Sequence, residues 1–439
     1  MNGIGTIPIR QKKMVDLDSV KADKRWSFAD ISRKETLYAT HGYHRYPAKF
    51  IPQLVRRIIR RYSKSGDLVL DSFGGCGTTL VESKLSGRES IGLDVNEVAV
   101  LIAKAKTIGI DPQVLEEKNK HLLERIANNK DTTNYYQDAN KRLQYWFNPE
   151  GFNKLRIIYD CIQEEGDSEV RLFFNCCFSN ILKNCSIWLA KSIKPQRDFS
   201  KKLAEPVSAF TKHLCYMTRK NKEYVDLIKL KKRQDVACHM KKGDARKINL
   251  PDEYVDLVVT SPPYVTSYEY AELHQLSILW FNFADDIKDI KKDFVGTSSR
   301  ENARRKINSI LAYETIEKLN KANKRLSRHV SNYYSDLSRC YEEMHRVLKK
   351  DKYVCIIIGD TEYGNIKIPN AEVTIELLKN IGFEFKKVIK RKLSSKIFTP
   401  YRDKSGRFTD AQHGGKRKIY QYEYVIFAKK DNLCGRVEI

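Results

Sequence analysis

The chain has 439 residues with a formal net charge of +25, from 80 Lys and Arg against 55 Asp and Glu. A composition 41% hydrophobic and 10% aromatic builds a substantial core and excludes global disorder, and runs such as VCIIIG are far too short to cross a bilayer. The basic excess says nothing about fold, but it points to a polyanionic partner, DNA or RNA.

The first segment, MNGIGTIPIRQKK, lacks the apolar core of a signal peptide. The ten cysteines contain no CxxC and no repeated Cys/His spacing, which argues against a zinc ribbon, a metal site or a secreted disulfide framework. A soluble, cytoplasmic protein without membrane association is expected. The first predicted strand is Asp67 to Asp71, followed by the turn SFGGCGTT and a helix to about Leu85. The second is Ser90 to Asp94, followed by the helix NEVAVLIAKAKTIG. Residues 111–235 then read as a basic helical insertion, a candidate region for DNA recognition. Strands return at Val236 to Met240, at VDLVVT and at Tyr353 to Gly359, with a second helical insertion over 265–350. The chain closes with EFKKVIKRKL, a basic loop and IYQYEYVIFAKK, whose alternation suits antiparallel strands. The expected fold class is α/β: a doubly wound, mostly parallel seven-stranded sheet with a C-terminal antiparallel β-hairpin, Rossmann-like, with helical insertions. Residues 1–110 and 236–439 would form one domain around the 111–235 insertion.

The turn Asp71-Ser-Phe-Gly-Gly-Cys-Gly77 sits where a strand ends and a helix begins. Gly74, Gly75 and Gly77 permit close backbone approach, and Asp94 ends the next strand where an acid can accept from ribose hydroxyls. The pair implies a nucleoside-containing cofactor. Neither GxxxxGK[ST] nor GxGxxG is present, and Asp71 at the turn would repel a pyrophosphate but can accept from an ammonium group. That chemistry suits S-adenosylmethionine better than a dinucleotide.

The strand VDLVVT stops hard on Ser261, Pro262, Pro263 and Tyr264. Two prolines fix extended geometry and leave carbonyls that no ladder claims. A serine oxygen and a rigid carbonyl can accept both hydrogens of an amino group, while the Tyr264 ring offers a stacking face for a base. Methylating an exocyclic amine needs such an arrangement, with positioning and electrostatics supplying the rate. Methylation at carbon 5 would need a cysteine nucleophile, and none of the twelve prolines is followed by cysteine.

These residues resemble the amino-methyltransferases of DNA, most closely the N4-cytosine type. The resemblance rests on the turn and on Thr260-Ser-Pro-Pro-Tyr264, and covers about 40 to 110 and 236 to 430. It implies that Ser261, Pro262, Pro263 and Tyr264 carry catalysis. It implies cofactor contacts from Phe73, Gly74, Gly75, Gly77, Thr78 and Thr79 in the turn, and from Asp71, Asp94 and Val95. It places Tyr46, Ala48, Lys49 and Phe50, in HRYPAKFIPQLV, at the methionine end, and Asp244 with Ala245 near the adenine. Serine before Pro-Pro-Tyr favours cytosine N4 over adenine N6. The glycine turn precedes the box, the reverse of the order in many N4-cytosine enzymes, and Cys76 stands where serine is more usual.

A target base in a duplex must be rotated out to reach such a pocket. From Lys386 to Lys430 there are fourteen Lys and Arg against three acids, and Arg402, Arg407, Lys416, Arg417 and Lys418 are the expected phosphate contacts. QRDFSKKLAEPVSAFTKH, KLKKRQ and SSRENARRK are further candidates for target recognition. His41, His44 and His274 receive no catalytic role, and Glu269 and Glu272 either touch the base or solvate a helix. The expected activity is methylation of cytosine N4 in double-stranded DNA, with a cognate restriction endonuclease as partner. The alternatives are N6-adenine or RNA amino-methylation, and a non-catalytic nucleic-acid binder on the same scaffold.

Overall fold

A computed structural model describes residues 16–431 except 48, 193, 266–269, 298–306, 364–365, 394–400, 403–407, 410–413, 415–416 and 419–420. Seven strands form the main sheet: β1 (Leu68–Asp71), β2 (Glu89–Asp94), β3 (Cys238–Lys242), β4 (Val255–Thr260), β5 (Leu348–Ile358), β6 (Phe383–Lys392) and β7 (Tyr422–Lys430). Their order is β3-β2-β1-β4-β5-β7-β6. The first five are parallel, and β7 runs antiparallel between β5 and β6. The doubly wound sheet with a terminal antiparallel hairpin is therefore present.

The central strands are apolar at consecutive positions because both faces are covered. Val69, Leu257, Val259, Cys355, Ile357, Val425 and Phe427 face helix α1 (Pro52–Tyr62), which buries Leu54, Val55, Ile58 and Ile59 against them. Leu70, Val258, Val354, Ile356, Ile358 and Ile426 face the opposite way, in the cluster that holds Leu337, Tyr341, Leu377 and Leu378. Helix α2 (Thr78–Leu85) joins β1 to β2, and α3 (Glu97–Thr107) follows β2, its start capped by the Asn96 side chain.

The third strand lies two residues beyond the expected Val236 to Met240. It is the sheet edge, pairing Ser90 with Cys238 through Asp94 with Lys242, and only Met240 of its five residues is buried. Edge pairing does not need a hydrophobic run, so apolar content misplaced its ends. Strand β5 begins five residues earlier than expected, through the charged stretch Lys349–Lys352 beside a register irregularity in β4. The basic loop contributes a separate three-stranded sheet, with Tyr401–Arg402 between Phe408–Thr409 and Arg417–Lys418.

Residues 111–235 supply α4 (Pro112–Asn128), α5 (Pro149–Gln163), α6 (Ser168–Cys185) and α7 (Pro206–Leu230). One continuous core joins Phe152, Phe173, Phe174 and Phe178 of these helices to Leu101, Ile102 and Ala105 of α3. Trp280, at the end of α8 (Gln275–Trp280), enters the same core. The insertion is thereby anchored beside the carboxyl end of β4. No helix among the described residues is long and apolar enough to cross a membrane.

Candidate active site

The carboxyl ends of β1, β2 and β4 form the floor of the site. The glycine turn is wound onto the end of β2: Gly74 N–H donates to the Leu93 carbonyl at 2.8 Å, and Gly77 N–H to the Gly74 carbonyl at 2.8 Å. Gly77 has φ +73°, and a Cβ there would lie 2.7 Å from the Ala103 Cβ of α3. Glycine is thus required both by conformation and by the close approach of two helices. At Gly75, φ +49°, a Cβ would lie 3.5 Å from the Tyr46 ring.

Asp94 accepts from Gly75 N–H and Asn96 N–H, both at 2.9 Å. Burial raises its carboxyl to about 6, against those two backbone donors. Gly243 N–H donates to the Asp94 carbonyl at 3.0 Å, which brings Asp244 beside it. Asp244 is held by Arg246 in a fork of 2.7 to 3.0 Å, and Arg246 also pairs with Asp336 at 3.0 Å. Ala245 is buried in the core, and Val95 is half-buried after Asp94.

Asp71 is the last residue of β1. It is buried under the turn, where Oδ1 accepts from Thr260 Oγ1 at 2.6 Å and Phe73 N–H at 3.2 Å, and Oδ2 from Thr79 Oγ1 at 2.6 Å. Burial raises this carboxyl to about 6. With three donors on it, Asp71 locks β1, the start of α2 and the last residue of β4 together. Thr78 is buried beside Thr79, and Phe73 packs on the core of the α9 (Lys324–Val347) side.

The residues before β1 wrap this turn. Lys49 donates to the His41 carbonyl at 2.9 Å, and burial lowers its amine to about 8. Phe50 packs in the α1 core, while Ala48 lies outside the described residues. The Tyr46 ring lies 5.0 Å from His274 and 6.1 Å from Tyr270. The His274 Nδ1 is 2.7 Å from Asn96 Nδ2, and its buried Nε2 has no hydrogen-bond partner. Burial drives the His274 imidazole down to about 4, so the ring is neutral. Neither His41 nor His44 is open to a substrate. His41 is buried against Glu82 at 2.8 Å, and His44 bonds Ser179 at 3.0 Å.

The box follows β4 directly. Ser261, Pro263 and Tyr264 are half-buried and Pro262 is buried. The Tyr264 hydroxyl donates to Glu423 Oε1 of β7 at 3.1 Å, and its ring edge lies 3.0 Å from where a Cβ on Gly359 would stand. Burial, then the Glu423 carboxylate, push the phenol well above its usual range, so Tyr264 is a neutral donor. Glu423 in turn lies 3.7 Å from the buried Arg391 of β6. Sequence reading missed Glu423, Arg391 and Gly359; of the three, only Glu423 carries a sequence signal, a lone charge inside the apolar and aromatic pattern YQYEYVIF. It also missed Glu82, fully buried on α2, which binds His41 and Arg56 at 2.8 Å each and contacts the Tyr38 hydroxyl. Burial alone would raise the Glu82 carboxyl, but His41 and Arg56 outweigh it and hold the group below its usual range.

Of the expected phosphate contacts, Arg402 lies opposite Arg417 in the small sheet and Lys418 opposite Tyr401. Arg407 and Lys416 lie outside the described residues, as does Glu269. Glu272 pairs with Lys291 at 2.5 Å.

The family model for N6/N4 DNA methylases matches residues 7–105 and 255–433, spanning the turn, the box and the terminal hairpin. The chain belongs to the N6/N4 DNA methylase family. It is 26% identical over 418 residues to the Type II methyltransferase M.MvaI of Kocuria varians, covering 88% of this chain and 91% of that protein. It is 24% identical over 380 residues to M.MjaII of Methanocaldococcus jannaschii, covering 66% and 72%. Over a shorter stretch of 106 residues it is 32% identical to M.BamHI of Bacillus amyloliquefaciens, covering 23% of this chain and 25% of that protein. The methylase is S-adenosylmethionine-dependent, and its cradle fits that cofactor: a glycine turn with Gly75 half-buried against Tyr46, a half-buried acid at the next strand end, and the orphaned His274 Nε2 beside Tyr46.

Proposed function

We propose that this methylase transfers a methyl group to the exocyclic N4 amine of a cytosine rotated out of a specific duplex sequence. The observation that supports it is the placement of Ser261-Pro-Pro-Tyr264 at the end of β4, clamped by Thr260 and Asp71 to the cofactor turn. Asp94 holds the ribose hydroxyls, and Tyr46 with the Gly74–Gly77 turn holds the rest of the cofactor. Bound S-adenosylmethionine supplies an electrophilic methyl group. The Ser261 oxygen and the Pro262 carbonyl accept the two amino hydrogens, which favours a more tetrahedral nitrogen and stabilises its developing positive charge. Tyr264, held by Glu423, stacks on the base and fixes the angle of approach. As the amine forms one N–C bond, the methyl–sulfur bond of the sulfonium would break, S-adenosylhomocysteine would leave as a neutral thioether, and one amino proton would pass to solvent, so no general base is required.

Serine before Pro-Pro-Tyr supports cytosine over adenine. The similarity to Type II methyltransferases supports a modification role in the cytoplasm beside a restriction endonuclease of the same specificity. Arg402, Arg407, Lys416, Arg417 and Lys418 would grip the phosphate backbone. Methylated duplex, digested to nucleosides and resolved by mass spectrometry, should contain N4-methyldeoxycytidine. Finding N6-methyldeoxyadenosine instead would overturn the base assignment and leave the amine pocket standing.

A further inference from the structure

The helical insertion carries an exposed stack of rings and cations that neither the cofactor cradle nor the amine pocket uses. Residues 187–198 fold back on themselves: Leu189 N–H donates to the Gln196 carbonyl and Asp198 N–H to the Ile187 carbonyl, each at 2.8 Å, with Trp188 bridged to Arg197. The Arg197 guanidinium lies 3.9 Å from the Tyr145 ring centre and 4.8 Å from that of Phe199. Behind Tyr145 a second cation, Arg142, lies 5.2 Å from its centre and 6.0 Å from that of Trp146. The outer members face solvent: Phe199 is 75% exposed and Tyr145 40%.

The inner end is rigid. Trp146 stacks on Trp188 at 5.0 Å, and Arg142 Nε and Trp146 Nε1 both donate to Gln275 Oε1, at 2.8 and 3.1 Å. Gln275 is fully buried and adjoins His274 of the cofactor cradle. The exposed stack is therefore tied to the element that follows the catalytic box. It also lies between the two segments matched by the family model.

No carboxylate among the described residues pairs with Arg197. A guanidinium held against two rings has lost most of its rotamer freedom in advance, and what remains accessible is its planar fork of N–H donors. A phosphate can take the same fork, but it carries no sequence information. Two acceptors in one plane, such as O6 and N7 of guanine, fit the fork and do carry it. We propose that Arg197, positioned by Tyr145 and Phe199, reads a base edge in the recognition sequence and discriminates a G·C pair there. The inference rests on the DNA-methylation reading and names a specificity residue for it.

The test uses the full chain on its own duplex site, mapped first with the wild type, and on duplexes that each differ from it at one base pair. Arg197→Lys keeps the charge and loses the fork. Its kcat/KM on the cognate duplex should fall roughly ten- to hundred-fold, with little change on the duplex altered at one G·C pair, so discrimination there collapses. Phe199→Ala should lose discrimination at the same pair by a smaller factor. Cofactor affinity and melting temperature should match the wild type in both. A uniform loss on every duplex, or unchanged discrimination, would overturn the base-reading role while leaving methylation intact. Absence of methyl transfer to any duplex by the wild type would instead overturn the functional reading beneath it.

Discussion

Asp94→Asn separates cofactor binding from folding. In the wild type the carboxylate receives two backbone N–H groups at 2.9 Å, from Gly75 and Asn96. Asparagine keeps one acceptor and turns its NH₂ toward the other donor, losing one charge-assisted hydrogen bond worth about 1.5–3 kcal/mol. Burial, however, already disfavours the ionised acid. A rise from 3.8 to about 6 corresponds to about 3 kcal/mol at neutral pH, which the neutral amide recovers. That rise is already net of the two backbone donors, so the melting temperature without cofactor should not fall. Cofactor affinity has no such offset, because the ribose hydroxyls lose a charged acceptor. Calorimetric titration with S-adenosylmethionine at pH 7.5 should show affinity roughly ten- to hundred-fold weaker, the same 1.5–3 kcal/mol expressed as a ratio. Wild-type affinity should also weaken as pH falls through about 6 and the acceptor is protonated, while the variant stays flat. The stability contribution runs the opposite way: an acid raised on folding stabilises below its unfolded value, and that contribution is lost as pH rises through about 6. Affinity of the variant within twofold of wild type would refute the ribose role of Asp94.

Gly77→Ala combines a left-handed φ with a 2.7 Å contact to Ala103 and should cost about 2–4 kcal/mol, seen as a lower denaturant midpoint; an unchanged midpoint contradicts the packing described. Tyr264→Phe keeps the ring and removes the hydroxyl with its bond to Glu423, so single-turnover methylation should slow less than about tenfold, whereas Tyr264→Ala, losing the stacking face, should slow it about a hundredfold. Equal rates for the two variants would show that the ring does not hold the base. Glu82→Gln leaves Arg56 without its carboxylate beneath the cofactor turn and should cost about 2–4 kcal/mol in thermal or chemical unfolding, the half-exposed Arg56 softening the loss. Ser261→Ala should lower kcat on saturating duplex with cofactor affinity intact, and full activity would remove Ser261 from the amine pocket.

Much of this site is written in short stretches. The glycine turn, Asp94 and the box each announce themselves because the chain must stop a strand, bend and expose backbone at once. The central strands are equally legible, since burial on both faces leaves runs such as VDLVV with no polar alternation. What escapes is pairing across distance. Glu423 meets Tyr264 across 159 positions, and an acid in YQYEYVIF reads simply as the outward face of a strand. Glu82 in VESKL looks like an ordinary exposed helix residue, yet helix α2 is buried on nearly every side. Asp71 is legible at the turn, yet no local pattern reveals that Thr260 comes to rest beside it. The edge strand β3 slipped for the reverse reason, having little hydrophobic signal to fix its ends.

The position of β7 has a consequence for synthesis. Strands β5 and β6 are made before it: β5, already paired with β4, waits with one open edge, and β6 waits without a strand partner until the chain from Tyr422 to Lys430 slides between them. The partner of Tyr264 arrives on that same strand. A nascent chain can therefore complete its cofactor turn long before its amine pocket, and an enzyme that lacks β7 has both an unpaired sheet and an untethered tyrosine. Folding order thus makes the base pocket the last part of the methylase to be finished.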